Sequence, residues 1–262
     1  MRKLQHRSIY ILALLVMILV SSCASRERIV YLQNPSAIDA TNSKTYESRL
    51  QADDLLSIIV NSASPELTKP YNLFMGTVQD RTDVITAQQR LQSYLIDKDG
   101  FIDFPKVGKL KLGGLTRTEA EEVIKQKLIQ EITDVSISLR ILNFKVSVQG
   151  EVARPGVHTI MSERITLLEA LSMSGDLTVY GRRDNILIIR ENDGKKTYNY
   201  VDITKADFVN SDFYYLAQND LVYVEPNKVR VNSSAVGPNV SVVISAISVL
   251  ASVVSVIVVI SR

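Results

Sequence analysis

The chain has 262 residues, 46% hydrophobic and 22% charged, with a formal net charge of +2, two histidines and one cysteine. That length holds one or two domains with real cores. A single cysteine and so few histidines do not build a zinc site or a Cys–His catalytic pair, and the lack of a basic run argues against nucleic acid as a partner.

At the N-terminus, Arg2, Lys3 and Arg7 precede an apolar run over residues 9–20. The run is too short for a hydrocarbon core of ~30 Å and reads as a secretory signal over 1–22. Val20-Ser21-Ser22-Cys23 resembles a bacterial lipobox, which would make Cys23 the acylated N-terminus of the mature chain. A lone exported thiol has no internal disulfide partner, and lipidation accounts for it. Ala24 follows instead of the Asp that resembles an inner-membrane retention signal, so the expected destination is the outer membrane. Removing 1–22 takes away three basic groups and no acidic one, and the formal charge falls from +2 to −1.

Residues 23–49 are polar and weakly periodic, which predicts a linker. A folded stretch then opens at LQADDLLSIIV. Asp53 and Asp54 read as the end of a turn before a buried strand over 55–60, in preference to a paired-carboxylate site. In SYLIDKDGFIDFPKVGKLKLGGLTRTEAEEVIKQKLIQ, the pattern predicts strand, turn at Lys98-Asp99-Gly100, strand, turn at Gly113-Gly114, then helix. Thr116 with Glu119 three residues on forms a capping box. Ala120, Val123, Ile124, Lys127 and Leu128 then give one mostly apolar helical face.

A related pattern returns at an offset of fifty. Gly100, Pro105, Val107, Thr116, Glu119 and Ala120 match Gly150, Pro155, Val157, Thr166, Glu169 and Ala170 identically. Ile102, Leu110 and Leu115 are replaced by Val152, Ile160 and Ile165. Thr166 and Glu169 thus make a second capping box, and two related α+β units are the economical reading. DNILIIR, KTYNYVDI and DLVYVEP follow as short strands, with turns at Asn192-Asp193-Gly194 and Gln218-Asn219-Asp220. One helix against a small mixed sheet suggests a β-grasp-like unit over 143–228, with a linker over 229–239.

Residues 240–260 form an apolar tail whose 21 residues span ~31 Å as a helix, enough for a bilayer core. Ser241, Ser245, Ser248, Ser252 and Ser255 step by 4, 3, 4 and 3, a helical period, and fall on one face. The stripe reads as lining water in a ring of helices, as a close helix–helix contact, or as hydroxyls bonded back to their own helix. The first two are compatible in one ring. The five hydroxyls also lower the hydrophobicity of a segment that must pass the inner membrane without being stopped there.

ADDLLSIIV, the strand-turn-helix stretch after it, and VSVQGEVARPGVHTIMSERITLLEAL together resemble the polysaccharide biosynthesis/export outer-membrane lipoproteins, the Wza-like family. The phrase Gly-Glu-Val-x-x-Pro-Gly stands at residues 150–156 and Leu-Leu-Glu-Ala at 167–170. The resemblance implies an α+β chain with an export domain over 50–142 and a β-grasp-like SLBB domain over 143–228. It implies that the transmembrane helix at 240–260 joins others in an α-helical barrel, formed by a homo-oligomeric ring of about eight copies. It further implies folded domains in the periplasm, capsular polysaccharide or exopolysaccharide as cargo, an inner-membrane co-polymerase as partner, and no cofactor beyond the lipid on Cys23. The chain departs from larger family members in having one clear SLBB module.

Other readings stay in view. A periplasmic glycan-binding lipoprotein would tether the outer and inner membranes without a pore. Glu151, Glu163 and Glu169 are available for glycoside cleavage, though Glu169 is already engaged as a cap. Tyr214 and Tyr215 are placed either to stack on sugars or to pack inside the sheet. No catalytic role is expected.

Overall fold

Burial alternates along LLSIIVN, and β1 (Leu55–Asn61) buries Leu56, Ile58 and Val60 on one face. The computed structural model describes residues 26–35, 48–76, 89–192, 194–235, 242, 244–246 and 248–253. Strand β1 is followed by a single-turn helix α1 (Pro65–Thr68) and by the short pair β2 (Phe74–Gly76) and β3 (Gln89–Leu91). It is the centre of an antiparallel sheet, flanked by β4 (Ser93–Leu95) and β7 (Ser136–Ile141).

The hairpin β5 (Phe101–Phe104) and β6 (Gly108–Lys111) adds Ile102, Phe104 and Leu110 to the same core. Helix α2 (Arg117–Leu128) closes it with Ala120, Ile124 and Leu128, one residue per turn on a single stripe. The helix starts at Thr116, whose hydroxyl accepts the Glu119 N–H at 3.3 Å, while the Glu119 carboxylate accepts the Thr116 N–H at 2.8 Å. Each satisfies an amide that the first helical turn leaves without a partner.

The second unit contains β8 (Lys145–Gly150), β9 (Gly156–Thr159), β10 (Ile165–Thr166), α3 (Leu167–Met173), β11 (Gly181–Asn192), β12 (Lys195–Val201), β13 (Tyr215–Leu216) and β14 (Leu221–Pro226). Five strands form one sheet in the order β12-β11-β14-β8-β9, and only the β14–β8 pair is parallel. Val146, Val148, Ile186, Ile188, Val222 and Val224 face a core covered by Leu167, Ala170 and Leu171 of α3. Burial of each of the Val, Ile and Leu side chains contributes ~1.5–3 kcal/mol. Thr166 and Glu169 cap α3 reciprocally, with bonds of 3.1 and 2.7 Å.

Gly150 ends β8 at φ +91°, opposite Val224. A Cβ there would lie 2.1 Å from the Val224 carbonyl oxygen, so bare backbone is required where the parallel pair closes. The fifty-residue correspondence holds at the capped helices and fails at the strands. Gly100 precedes β5, whereas Gly150 is the last residue of β8, so the hairpins pair different segments in the two units.

Two segments expected as linkers carry local structure, and the expected span is described only in part. Residues 26–35, expected within a linker, begin with a 3-10 turn at Arg26–Arg28 and pack on the second unit through Tyr31 and Leu32. Lys228–Ala235, also expected as linker, is a helix, α4. Its start is fixed by Asn227, whose side-chain oxygen accepts the Arg230 N–H at 3.0 Å, and the helix-breaking pair Gly237-Pro238 comes only later. The expected span at 240–260 is described only in part. Residues 242, 244–246 and 248–253 are helical. Among the described residues no helix is long and apolar enough to cross a membrane.

A short polar network joins the two units. Asn143 accepts the Leu55 N–H at 2.8 Å and donates to the Asp53 carbonyl at 2.8 Å. Gln218 donates to the Asn143 carbonyl at 3.0 Å and accepts the Lys145 N–H at 2.8 Å. The turn that carries Gln218 is held by Asp220, fully buried and bonded to Arg190 at 2.7 Å. Asp53 takes a left-handed turn conformation, φ +68°, directly before Asp54 and β1.

Candidate functional site

The N-terminal segment and α4 lie on one side of the second unit. At the N-terminal end, residues 31–33 lie against the segment after β12. Leu32 N–H donates to Ile203 O at 3.1 Å, Gln33 N–H to Thr204 O at 2.7 Å, and Ala206 N–H to Gln33 O at 3.2 Å. The Tyr31 hydroxyl donates to Asp176 at 2.5 Å, and the Arg183 guanidinium lies over the Tyr31 ring, 5.4 Å from its centroid. Burial, and then the bond to Asp176, push the Tyr31 hydroxyl well above the usual tyrosine range.

At the C-terminal end, α4 is docked by three contacts. Asn227 N–H donates to Tyr180 O at 2.7 Å, Arg230 pairs with Glu151 at 3.0 Å, and the Arg230 guanidinium lies 5.6 Å from the Tyr180 ring centroid. Glu151 is held in turn by the Thr178 hydroxyl at 2.9 Å. The acidic residue of the Gly-Glu-Val phrase therefore positions the helix that leads into the tail.

Between the N-terminal segment and α4 lies a cavity of about 890 Å³, with Arg28, Ile29, Arg182, Arg183, Lys228 and Val229 among its lining residues. Arg182 is matched by Asp184 at 3.1 Å and Glu225 at 3.0 Å, and its bond holds the Asp184 carboxyl below the usual carboxylate range. A second cavity, of about 550 Å³, lies between the two units, with Leu50, Arg117, Arg140, Phe144 and Arg164 on its walls. Arg117 there is paired with Glu121 at 2.9 Å and Glu163 at 3.2 Å.

Cys23, Ser241 and Ser255 lie outside the described residues. Ser245, Ser248 and Ser252 lie in the C-terminal helical segment. The Ser248 hydroxyl donates to Ile244 O at 2.9 Å, and that of Ser252 to Ser248 O at 2.8 Å. These are bonds of a hydroxyl to its own helix, four residues back. Thr116 lines the cavity between the units, whereas Thr166 and Glu169 cap α3, and the two capping pairs form no common site. Glu151, Glu163 and Glu169 are each committed to a different partner: Arg230, Arg117 and the Thr166 amide.

Tyr214 packs edge-on against Phe208 at 5.7 Å and against Tyr215 at 5.0 Å, and Arg164 covers Tyr215. Both tyrosines are thus packing groups. Tyr198 and Tyr200, on the outer face of β12, are each more than half exposed. Alternation in KTYNYV marks the two as facing one way, but not which way. His158 bonds Ser174 at 2.7 Å, a pair that distance in sequence conceals. Ser174 is fully buried, so its hydroxyl is closed to a substrate. Among the described residues no group of three His, Cys, Asp or Glu side chains is placed to hold a metal ion.

Comparison with known proteins agrees with this architecture. Residues 42–142 match the family described as "Polysaccharide biosynthesis/export protein", and residues 144–224 match "SLBB domain". The chain is 28% identical over 209 residues to the "EPS I polysaccharide export outer membrane protein EpsA" of Ralstonia solanacearum, covering 77% of this chain and 55% of that protein. The protein of the same name from Ralstonia nicotianae is 28% identical over 205 residues, covering 75% and 53%. The chain thus spans about half the length of the curated relatives it matches. On these matches, residues 42–142 belong to the polysaccharide biosynthesis/export protein family and residues 144–224 form an SLBB domain.

Proposed function

We propose that the protein is an outer-membrane subunit of a polysaccharide export channel, anchored by a lipid on Cys23 and by a helix over 240–260. In this reading the two domains lie in the periplasm, copies close into a ring, and the C-terminal helices together form the barrel through the membrane. Capsular polysaccharide or exopolysaccharide passes through as cargo, handed on by an inner-membrane co-polymerase. The observation that carries it is the convergence of the two ends: Arg28 and Ile29 line the same cavity as Lys228 and Val229. A lipid on Cys23 and a separate helix over 240–260 would then reach a single membrane from one side of the SLBB domain. The names of the Ralstonia relatives support the polysaccharide cargo and the outer-membrane location.

The experiment replaces Arg262 with cysteine in the full chain and probes intact cells with a membrane-impermeant maleimide, Cys23 being blocked by acylation. Labelling of intact cells is the expected result. Labelling only after lysis overturns the channel reading.

A second reading is favoured by one observation. Ser248 and Ser252 satisfy their hydroxyls within their own helix, so the stripe does not by itself require a water-filled lumen. A glycan-binding lipoprotein that tethers the two membranes without a pore fits that geometry too. A stable ring after detergent extraction excludes it, whereas a monomer or dimer favours it.

A further inference from the structure

We propose that the cavity between the N-terminal segment and α4 binds the phosphate-bearing headgroup of an anionic phospholipid. This rests on the reading that both chain ends are membrane-anchored, and it names the molecule that the anchored face grips.

The central residue is Arg183. Its side chain is only 6% exposed, and its Nη1 donates to the carbonyls of Gly181 at 2.9 Å and Thr178 at 3.3 Å. Its Nε has no partner, and among the described residues no carboxylate lies within ion-pairing distance of it. A buried cation is costly unless a counter-charge is supplied. The neighbouring carboxylates are already engaged, Asp184 and Glu225 by Arg182 and Glu151 by Arg230. Arg28 and Lys228 line the cavity from its two sides, and among the described residues neither makes an ion pair within 4 Å, Arg28 acting only at longer range on Asp184, which is bonded to Arg182. Three cations therefore converge on one cavity that lacks an uncommitted anion.

The rim identifies the source of that anion. Ile29, Val179, Val229 and Val231 line the cavity and are between 47% and 70% exposed. A basic cradle ringed by exposed aliphatic side chains suits a charged headgroup with its acyl chains attached, and suits a free anion less well. The volume of about 890 Å³ is of the order that small-molecule sites use, up to ~1,000 Å³. In the two-anchor reading, a lipid on Cys23 and a helix over 240–260 would meet the bilayer on the side of this cavity.

The test uses the full chain in a neutral detergent, titrated with phosphatidylglycerol or phosphatidylcholine and read by native mass spectrometry for retained lipid. Phosphatidylglycerol is expected to be retained in preference to phosphatidylcholine. The double variant Arg28→Gln/Lys228→Gln is expected to weaken that retention roughly 25-fold, about five-fold per charge removed. Both positions are exposed, so its melting temperature without lipid should match the wild type and report an intact fold. Arg183→Gln should abolish retention; should it fail to fold, the double variant carries the test alone. Equal retention of the two lipids, an unchanged double variant, or displacement by inorganic phosphate at the lipid's own concentration overturns the proposal. Membrane fractionation tests the anchoring separately: absence from the outer membrane with selective lipid retention intact would sink the two-anchor reading and leave the site standing.

Discussion

The Tyr31 hydroxyl donates to Asp176 at 2.5 Å across 145 residues of sequence. With the backbone bonds of Leu32 and Gln33, it fixes the N-terminal segment to the SLBB domain and not to the export domain that follows it in the chain. A lipid on Cys23 would thus hold the SLBB domain beside the membrane.

Removing that hydroxyl loosens the segment without emptying the space the ring fills. Tyr31→Phe should lower the local opening free energy by about 1–2 kcal/mol. Amide exchange at Leu32 and Gln33 should then speed up roughly 5–30-fold, with the rest of the domain unchanged. Uniform acceleration across the SLBB domain would mean that the segment is part of its global fold.

Much of this architecture is legible in the sequence, and the exceptions have physical causes. Thr116/Glu119 and Thr166/Glu169 were readable because a capping box is local, complete within four residues. The buried stripe of α2 was readable for the same reason, since Ala120, Ile124 and Leu128 repeat at helical spacing. The docking of residues 26–35 was not, because it depends on Ile203, Thr204 and Asp176, far away in the chain. KVRVNSSA gave no strong helix signal either, since β-branched and small polar residues are weak helix formers and tertiary contacts to Glu151 and Tyr180 decide the outcome. The cavity beside Arg183 likewise needs three separate segments to meet. The fifty-residue repeat misled at the strands, because pairing depends on which partner is in reach and not on the residues of one strand alone.

Gly150 should tolerate no side chain. Gly150→Ala forces a Cβ into the Val224 carbonyl and places a non-glycine residue at φ +91°. The loss of stability should be about 2–6 kcal/mol, strain and overpacking acting together. Gly156→Ala is the control, since nothing lies within 4 Å of its added Cβ and its backbone is not left-handed. That change should stay within about 1 kcal/mol. Comparable melting temperatures for the two variants would remove the steric account of the Gly-Glu-Val phrase.

The pairing of Glu151 with Arg230 is half-exposed, with side chains 18% and 55% accessible, so its strength is modest. A double-mutant cycle with Glu151→Gln and Arg230→Gln should give a coupling of about 0.5–1 kcal/mol, read from amide exchange along α4. The coupling should shrink as salt is raised. A coupling of zero would leave Asn227 and Tyr180 as the whole anchor of the helix.

The buried carboxyl of Asp54 makes the stability of the export domain depend on pH in a direction unusual for an aspartate. One of its oxygens accepts the Gln51 N–H at 2.8 Å, and the other has no partner. Burial raises its pKa from 3.8 to about 6, with the Gln51 bond and the nearby Gln218 side chain opposing the rise and the Asp53 charge adding to it. Between those values the folded chain holds a proton that the unfolded chain has lost. The stabilisation from this group is therefore complete below the unfolded value and disappears as pH rises through about 6. At pH 7.5 the ionised group should cost on the order of 3 kcal/mol. Asp54→Asn stays neutral throughout, so its melting temperature relative to wild type should climb from pH 5 to pH 7.5. Asp220, also raised by burial, is present in both proteins and cancels from the difference. A difference that stays flat with pH would mean that water reaches the carboxyl, and hence that the seam at Asn143 and Gln218 is open.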